Sequence, residues 1–328
     1  MGLDFSTASF LLDAYRRGVS FRRTLTLGRT QLYAMLGEMQ KLHKLAGRKL
    51  SETASQTEFG GFADAFLSRL LGIETLESLD YSAYQGASIL HDMNQPIPSE
   101  LEGRFDAVID SGTIEHVFNF PVAIANCMKM VRLGGRLFII TVANNHCGHG
   151  FYQFSPELFF RLFKDCNGFD IQRLLLLNHP FPGLELSSTK RFYTVKDPDE
   201  TRYRVGLVND SPVMLLLRAE RRSLEKVLTT SPQQSDHATL WESKQAEGNS
   251  AVDNPLPHRF VDWLRRMFYA MPKRFVPPPV RRFAMLVAGL PAPPLLVPKP
   301  KILSAHQLRP DEGSAEEDGK EFLGNSAR

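Results

Sequence analysis

An α/β fold is expected: a Rossmann-like doubly wound sheet of about seven mostly parallel strands, with helices on both faces. Three observations predict it. Strand-like runs alternate with helix-like runs through residues 1–222, an order that covers a parallel sheet on both faces. The runs "AVI" (107–109) and "LFIITV" (137–142) are apolar without alternation, as strands buried on both faces are. Polar and acidic residues gather where these strands end, and open α/β sheets bind ligands there.

The elements follow in order. Residues 6–18 have helical spacing, with Phe10, Leu11, Ala14 and Tyr15 on one face. "RTLTLG" (23–28) reads as a buried strand ended by a glycine turn. Residues 30–46 return to helical spacing, and polar "SETASQTEFGG" (51–61) reads as a loop. "FADAFLSRLLG" (62–72) is a helix closed by Gly72. "TLESLD" (75–80), "ASILHD" (87–92), "FDAVID" (105–110) and "GRLFIITV" (135–142) are four strand candidates. A helix, "PVAIANCMKMVRLGG" (121–135), separates the last two; it opens on proline and closes on paired glycines. "FSPELFFRLFKDCNGF" (154–169) is a helix with Ser155 as N-cap, Pro156 in first position and Gly168 as stop. "DIQRLLLLN" (170–178) and "PVMLLLRAER" (212–221) are closing strands, with a polar excursion between them.

Beyond residue 222 the composition changes. Residues 223–257 read as a polar linker. Residues 258–300 form a basic apolar helical extension: between 258 and 290, seven Arg and Lys face Asp262 alone, a balance of +6. Such a segment suits peripheral contact with an anionic membrane or a partner, although its prolines interrupt a long amphipathic helix. Residues 301–328 read as an acidic, disordered tail.

Composition bounds the function. The chain has 328 residues, 43% hydrophobic and 23% charged, with a net charge of +3. That charge is too small to make nucleic acid an obligatory partner. Three cysteines without framework spacing argue for a reducing, cytoplasmic setting, with possible placement against the inner membrane face through the basic segment. The N-terminus has no basic-then-apolar leader, and no run of 18 apolar residues occurs. "MGLDFS" places Ser6 as a myristoylation motif would, but the sequence is bacterial in style.

The strand ends supply the candidate ligands. Gly28 follows the first strand and Asp80 ends the second. His91, Asp92, Met93 and Asn94 follow the third. Asp110, Ser111, Gly112, Thr113, Glu115 and His116 follow the fourth, and Asn144, Asn145, His146, Cys147 and His149 follow the fifth. A nucleoside suits this set. A carboxylate after the second strand can accept both hydrogen bonds of a ribose diol, and an Asp after the third can take an adenine amino group. A glycine after the first lets the backbone approach. Each Asp alone could instead cap a turn.

"LHDMN", "FDAVIDSGTIEHVF" and "VRLGGRLFII" resemble the third-, fourth- and fifth-strand segments of class I S-adenosylmethionine-dependent methyltransferases. The Glu115-His116-Val117 triplet is the most specific match. The resemblance covers residues 20–175 and, more weakly, 221. It points to a bacterial methyltransferase-like subgroup with a degenerate first glycine loop. It implies a seven-stranded sheet with only the last strand antiparallel, and S-adenosylmethionine as cofactor. The cofactor-binding residues would be Gly28, Arg29, Asp80, Asp92, Met93, Asp110, Ser111, Gly112, Glu115 and His116.

One departure stands out. The family's acidic-x-Gly-x-Gly-x-Gly loop is here "LTLGRTQLY", and 52 residues separate Gly28 from Asp80. Arg29 or Thr30 could hold the methionine carboxylate, since a guanidinium pairs bidentately with a carboxylate. Arg29 could equally be a solvated loop charge. The absent G-x-G-x-x-G turn disfavours a pyridine dinucleotide.

Methyl transfer needs alignment, exclusion of water and often a base. Histidine titrates near neutrality, so His149 or His146 is the expected catalytic base, with Tyr152 positioning the acceptor. The segment "HCGH" (146–149) offers three possible metal ligands, but zinc spacing normally needs a second pair, so no metal is expected. The expected activity is methylation of a small-molecule or glycan hydroxyl, such as a cell-surface polysaccharide or lipid-linked acceptor. The alternative is a non-catalytic methyltransferase-like binding protein that has lost cofactor affinity. The sequence leaves the oligomeric state open.

Overall fold

The computed structural model describes residues 2–48, 61–178, 191–201, 205, 207–208, 211–235, 302–303 and 308–310. The helices are α1 (Phe5–Arg16), α2 (Leu36–Leu45), α3 (Asp64–Leu71), α4 (Phe120–Met130), α5 (Pro156–Leu162) and a single turn, α6 (Pro198–Thr201). The strands are β1 (Arg23–Leu27), β2 (Thr75–Asp80), β3 (Ile89–Leu90), β4 (Phe105–Ser111), β5 (Val131–Asn144), β6 (Phe169–Asn178), β7 (Arg191–Val195) and β9 (Val213–Arg221), with β11 (Leu308–Pro310) at the edge. Two-residue strands β8 (Leu207–Val208) and β10 (Ile302–Leu303) lie outside the main sheet.

The sheet order is β11-β7-β6-β9-β5-β4-β1-β2-β3. Strands β1 to β5 run parallel, and β9 inserts antiparallel between β5 and β6. Strands β7 and β11 extend the edge beyond β6, each antiparallel to its neighbour. The chain winds outward in both directions from β1 and β4. Their carboxyl ends therefore open the crevice where such sheets bind ligands.

Both faces are buried, as the unalternating strands require. Leu137 and Ile139 of β5 pack with Ile124 and Cys127 of α4 and Phe159 of α5. Phe138, Ile140 and Val142, pointing the other way, pack with Phe10 and Leu11 of α1, Leu42 of α2 and Leu67 and Leu70 of α3. The odd–even split follows from the strand period of two. Asp4 caps α1 by accepting from Thr7 N at 2.9 Å, and Gly72 closes α3 in the left-handed region at φ +67°.

Several element boundaries differ from the sequence reading. The helix expected over 30–46 begins only at Leu36, because Gln31 bridges Phe62 and Leu32 bridges Leu3. Strand β3 is two residues long, not 87–92: Ser88 Oγ accepts from Ser78 N at 2.8 Å, so a side chain replaces the ladder there. Helix α4 stops at Met130, and residues 131–135 belong to β5. The reason is a register shift between Phe105 and Ala107. Gly135 lies so close that a Cβ there would sit 2.8 Å from Asp106 O, so the paired glycines form a close strand approach rather than a helix end. Helix α5 ends at Leu162, a separate 3-10 turn (Asp165–Asn167) precedes Gly168, and the Ser155 side chain makes no cap bond. The polar excursion contains β7, whose "RFYTV" is aromatic and β-branched as strands often are.

Residues 223–235 are fastened to the sheet domain. Leu228 N donates to Asn167 Oδ1 and Ser235 N to Glu157 Oε1, and Val227 and Leu228 pack on the core. The rest of the linker, the basic segment 258–300, most of 301–328 and residues 51–60 of the expected loop lie outside the described residues. No helix among the described residues is long and apolar enough to cross a membrane.

Candidate functional site

The carboxyl ends of β1, β2 and β4 converge. Gly28 sits at φ +69°, and a Cβ there would lie 3.7 Å from Asp80 Oδ2 and 3.6 Å from Thr113 Oγ1. Thr113 Oγ1 donates to Leu27 O at 2.9 Å, closing the turn after β4 against the end of β1. The Asp80 carboxylate is half-buried. Among the described residues its one hydrogen bond is a long one, 3.4 Å from Ser82 N. It is therefore available to a ligand.

Other expected cofactor groups are already engaged. Arg29 donates to Gln85 O and Asp64 Oδ2 at 2.9 and 3.0 Å, and its guanidinium covers the Phe62 ring at 3.9 Å. It is neither a solvated loop charge nor free for a carboxylate; it clips the turn after β1 to α3 and to the loop after β2. Thr30 is buried. Asp92 Oδ1 accepts from Asn94 N and Asn94 Nδ2, the turn-capping arrangement, and the Asn94 backbone N–H holds its carboxyl below the usual range. The Met93 side chain is buried in the core. Ser111 is buried with an unpartnered hydroxyl among the described residues, and Gly112 adopts φ +91°.

The β4 and β5 ends hold buried acid. Asp110 is fully buried. Its Oδ1 accepts from Thr113 N at 2.9 Å, and its Oδ2 has no hydrogen-bond partner. Burial first, and Glu115 second, push its carboxyl well above the ordinary range. Glu115 is also fully buried, in the 3-10 turn Ile114–His116. Its Oε2 accepts from Thr141 Oγ1 at 3.0 Å, and its Oε1 lies 3.3 Å from His149 Nε2 without hydrogen-bond alignment. Its carboxylate is turned to Thr141 and His149.

The loop after β5 is pinned onto that turn. Phe151 N and Tyr152 N donate to Glu115 O at 2.8 and 3.3 Å. Gly150 has φ +69°, and a Cβ there would lie 2.8 Å from the same carbonyl oxygen. His116 and His149 rings stand 4.9 Å apart, and His146 lies 6.1 Å from His149. Burial lowers the pKa of His116, against the pull of Glu115. Tyr152 donates its hydroxyl to Phe118 O at 2.7 Å, so it braces two loops rather than presenting a polar group to an acceptor. Phe118 and Phe151 are exposed and meet edge-on at 6.2 Å beside this cluster.

Sequence reasoning brought Gly28, Asp80, His146 and His149 to one edge, and the structure does so too. It listed Thr113 at the end of the fourth strand without a role and did not foresee Thr141; both act through hydrogen bonds across long sequence separations. The metal search centred on His146, Cys147 and His149; the residues whose ligand atoms converge are Glu115, His116 and His149, all within 4.8 Å. A separate groove of about 550 Å³ is lined by Arg17, Lys164, Arg173 and Arg218 at the other end of β6. Its arginines pair with Asp13, so it is set apart from the crevice by both place and chemistry.

No protein-family model and no curated protein matches the chain. Solved structures with similar backbones include a putative methyltransferase from Bacillus halodurans, at 10% identity and TM-score 0.32, over 65% of this chain and 99% of that one. The YcgJ protein of Bacillus subtilis follows at 12% identity and TM-score 0.35, over 65% and 98%. A Burkholderia thailandensis 1,6-didemethyltoxoflavin-N1-methyltransferase, solved with its substrate and S-adenosylhomocysteine, has 14% identity and TM-score 0.33, over 67% and 78%. Likenesses this slight carry no weight for function. The chain's own strand order, five parallel strands followed by β6 with β9 inserted antiparallel, makes it a Rossmann-like doubly wound sheet.

Proposed function

We propose that this protein transfers a methyl group from S-adenosylmethionine to a hydroxyl of a small molecule or glycan. The observation that carries this reading is the available Asp80 carboxylate beside Gly28 at the crevice of a doubly wound sheet. A carboxylate there suits a ribose diol. Between β1 and α2 the chain runs through bridged residues 31–32, so α2 does not start at the end of β1, where a dinucleotide's phosphates would need a helix N-terminus. A nucleoside cofactor without phosphates fits that arrangement better than a dinucleotide.

When bound, the cofactor supplies an electrophilic methyl group. The chain's own residues align the acceptor and receive its proton. Asp80 fixes the ribose, and the turn carrying Ser111 and Gly112 borders the crevice. The histidine cluster at His116, His146 and His149 sits on the acceptor side, where the proton of a hydroxyl would be taken up. Phe118 and Phe151 offer an apolar wall to the acceptor.

A second reading rests on Arg29. Its engagement with Asp64 leaves the methionine end without the cation the sequence suggested, which favours a binding protein that has lost the cofactor. Calorimetry with S-adenosylmethionine and S-adenosylhomocysteine separates the two. Binding in the micromolar range supports the enzyme; no heat at millimolar ligand sinks it.

A further inference from the structure

We infer that Glu115, His116 and His149 form a binding site for one divalent transition-metal ion, of the zinc or manganese kind. One ligand atom from each residue lies within 4.8 Å of the other two. Two imidazoles and a carboxylate are a common donor set for such ions, whereas magnesium and calcium prefer all-oxygen shells.

The unpartnered atoms point to a missing occupant. Glu115 is 0% exposed, and among the described residues its Oε1 has no hydrogen-bond partner. His149 Nε2 is likewise buried and unpartnered. Orphaned buried polar atoms are costly and rare in native proteins. These two atoms are 3.3 Å apart yet misaligned for a hydrogen bond, so a simple imidazolium–carboxylate pair does not account for them. Their separation is that of neighbouring ligands around an ion with bonds of about 2.0–2.2 Å. His116 is exposed and can turn to complete the set.

The surroundings fit a ligand shell. Thr141 Oγ1 holds the other carboxylate oxygen of Glu115 at 3.0 Å, fixing its plane. Gly150, at a conformation open to glycine, lets the backbone close onto Glu115 O and brings His149 across. Two protein nitrogens and one oxygen leave coordination positions open, as in catalytic rather than structural sites.

The use of the ion rests on the methyl-transfer reading; its presence does not. Bound to the ion, an acceptor hydroxyl would lose its proton more readily. The proton passes to solvent or to His146, the oxygen–carbon bond forms, and the sulfonium leaves as a neutral thioether.

The test needs no cofactor. The untagged full chain is stripped with a chelator, then titrated with zinc sulfate and, separately, manganese chloride by calorimetry, with metal analysis after dialysis. One ion per chain is expected, with a raised melting temperature. Glu115→Gln and His116→Ala should each weaken binding at least tenfold, while Cys147→Ser leaves it unchanged. His116 is exposed, so its variant remains informative if Glu115→Gln does not fold. Absence of binding below millimolar metal, or binding indifferent to both variants, overturns the site. Metal binding without S-adenosylmethionine binding would leave the site standing and remove only its proposed use.

Discussion

The two halves of the ligand edge are built differently. At β1, β2 and β3 the groups are half-exposed and settled: Arg29 is paired, Asp92 caps its own turn, and Asp80 waits with one weak bond. At β4 and β5 two carboxyls, Asp110 and Glu115, are fully buried and each has an oxygen without a partner. Burying polar groups unpaired costs free energy, so a fold keeps such an arrangement only where something is gained. The first side thus presents settled, half-buried groups, and the second holds buried acid.

The largest test of that contrast is Gly150→Val. A β-branched residue at φ +69°, with its Cβ 2.8 Å from Glu115 O, should cost about 3 kcal/mol and displace His149. Thermal and urea unfolding measure the cost. A variant as stable as the parent would mean that the clamp between the two loops is not needed.

Asp110→Asn comes next. An amide keeps the oxygen that accepts from Thr113 N and cannot ionise. The carboxyl is raised in the fold, so its neutral form is the favoured one. Stability from this group is present at acidic pH and lost as pH rises through the raised value. The variant should therefore be more stable than the parent near neutrality, with the gain fading towards pH 4. Urea midpoints across pH 4–9 check it. A gain that grows on acidification contradicts the sign.

On the cofactor side, Asp80→Ala should lower S-adenosylmethionine affinity by about tenfold, roughly 1.4 kcal/mol, through loss of the ribose contacts. Unchanged affinity by calorimetry would refute the crevice assignment. The smallest effect belongs to Arg29→Ala. Its pair with Asp64 is partly exposed, so the loss should be about 0.2–1 kcal/mol in stability with no change in cofactor affinity. A marked loss of affinity would restore Arg29 as a cofactor ligand and narrow the contrast between the two sides.

Much of this was legible beforehand, and the misses are informative. Apolar runs such as "LFIITV" have only one comfortable home, a strand covered twice, so the sheet and its two helical layers followed. The glycines at 134 and 135 read as a helix end because glycine marks several kinds of backbone. Only the close approach to Asp106 O shows which one applied. "RFYTV" is a weak signal because a five-residue strand inside a polar stretch offers little periodicity. Strand-end acids were found because the period of the fold puts them there. Their roles were not, because capping, burial and pairing leave no mark on spacing: Asp92 and Asp80 look alike in sequence, but only one is spoken for.

The sequence by itself determined the layers, the ligand-bearing edge and the residues that reach it, because periodicity and strand ends are local properties. Tertiary structure alone decided which of those residues are available. It paired Arg29 with a carboxylate 35 residues away and buried Glu115 under Thr141, 26 residues on. It also folded a glycine loop back so that His149 meets Glu115 and His116. Those meetings depend on loops closing in space, and no local pattern encodes them.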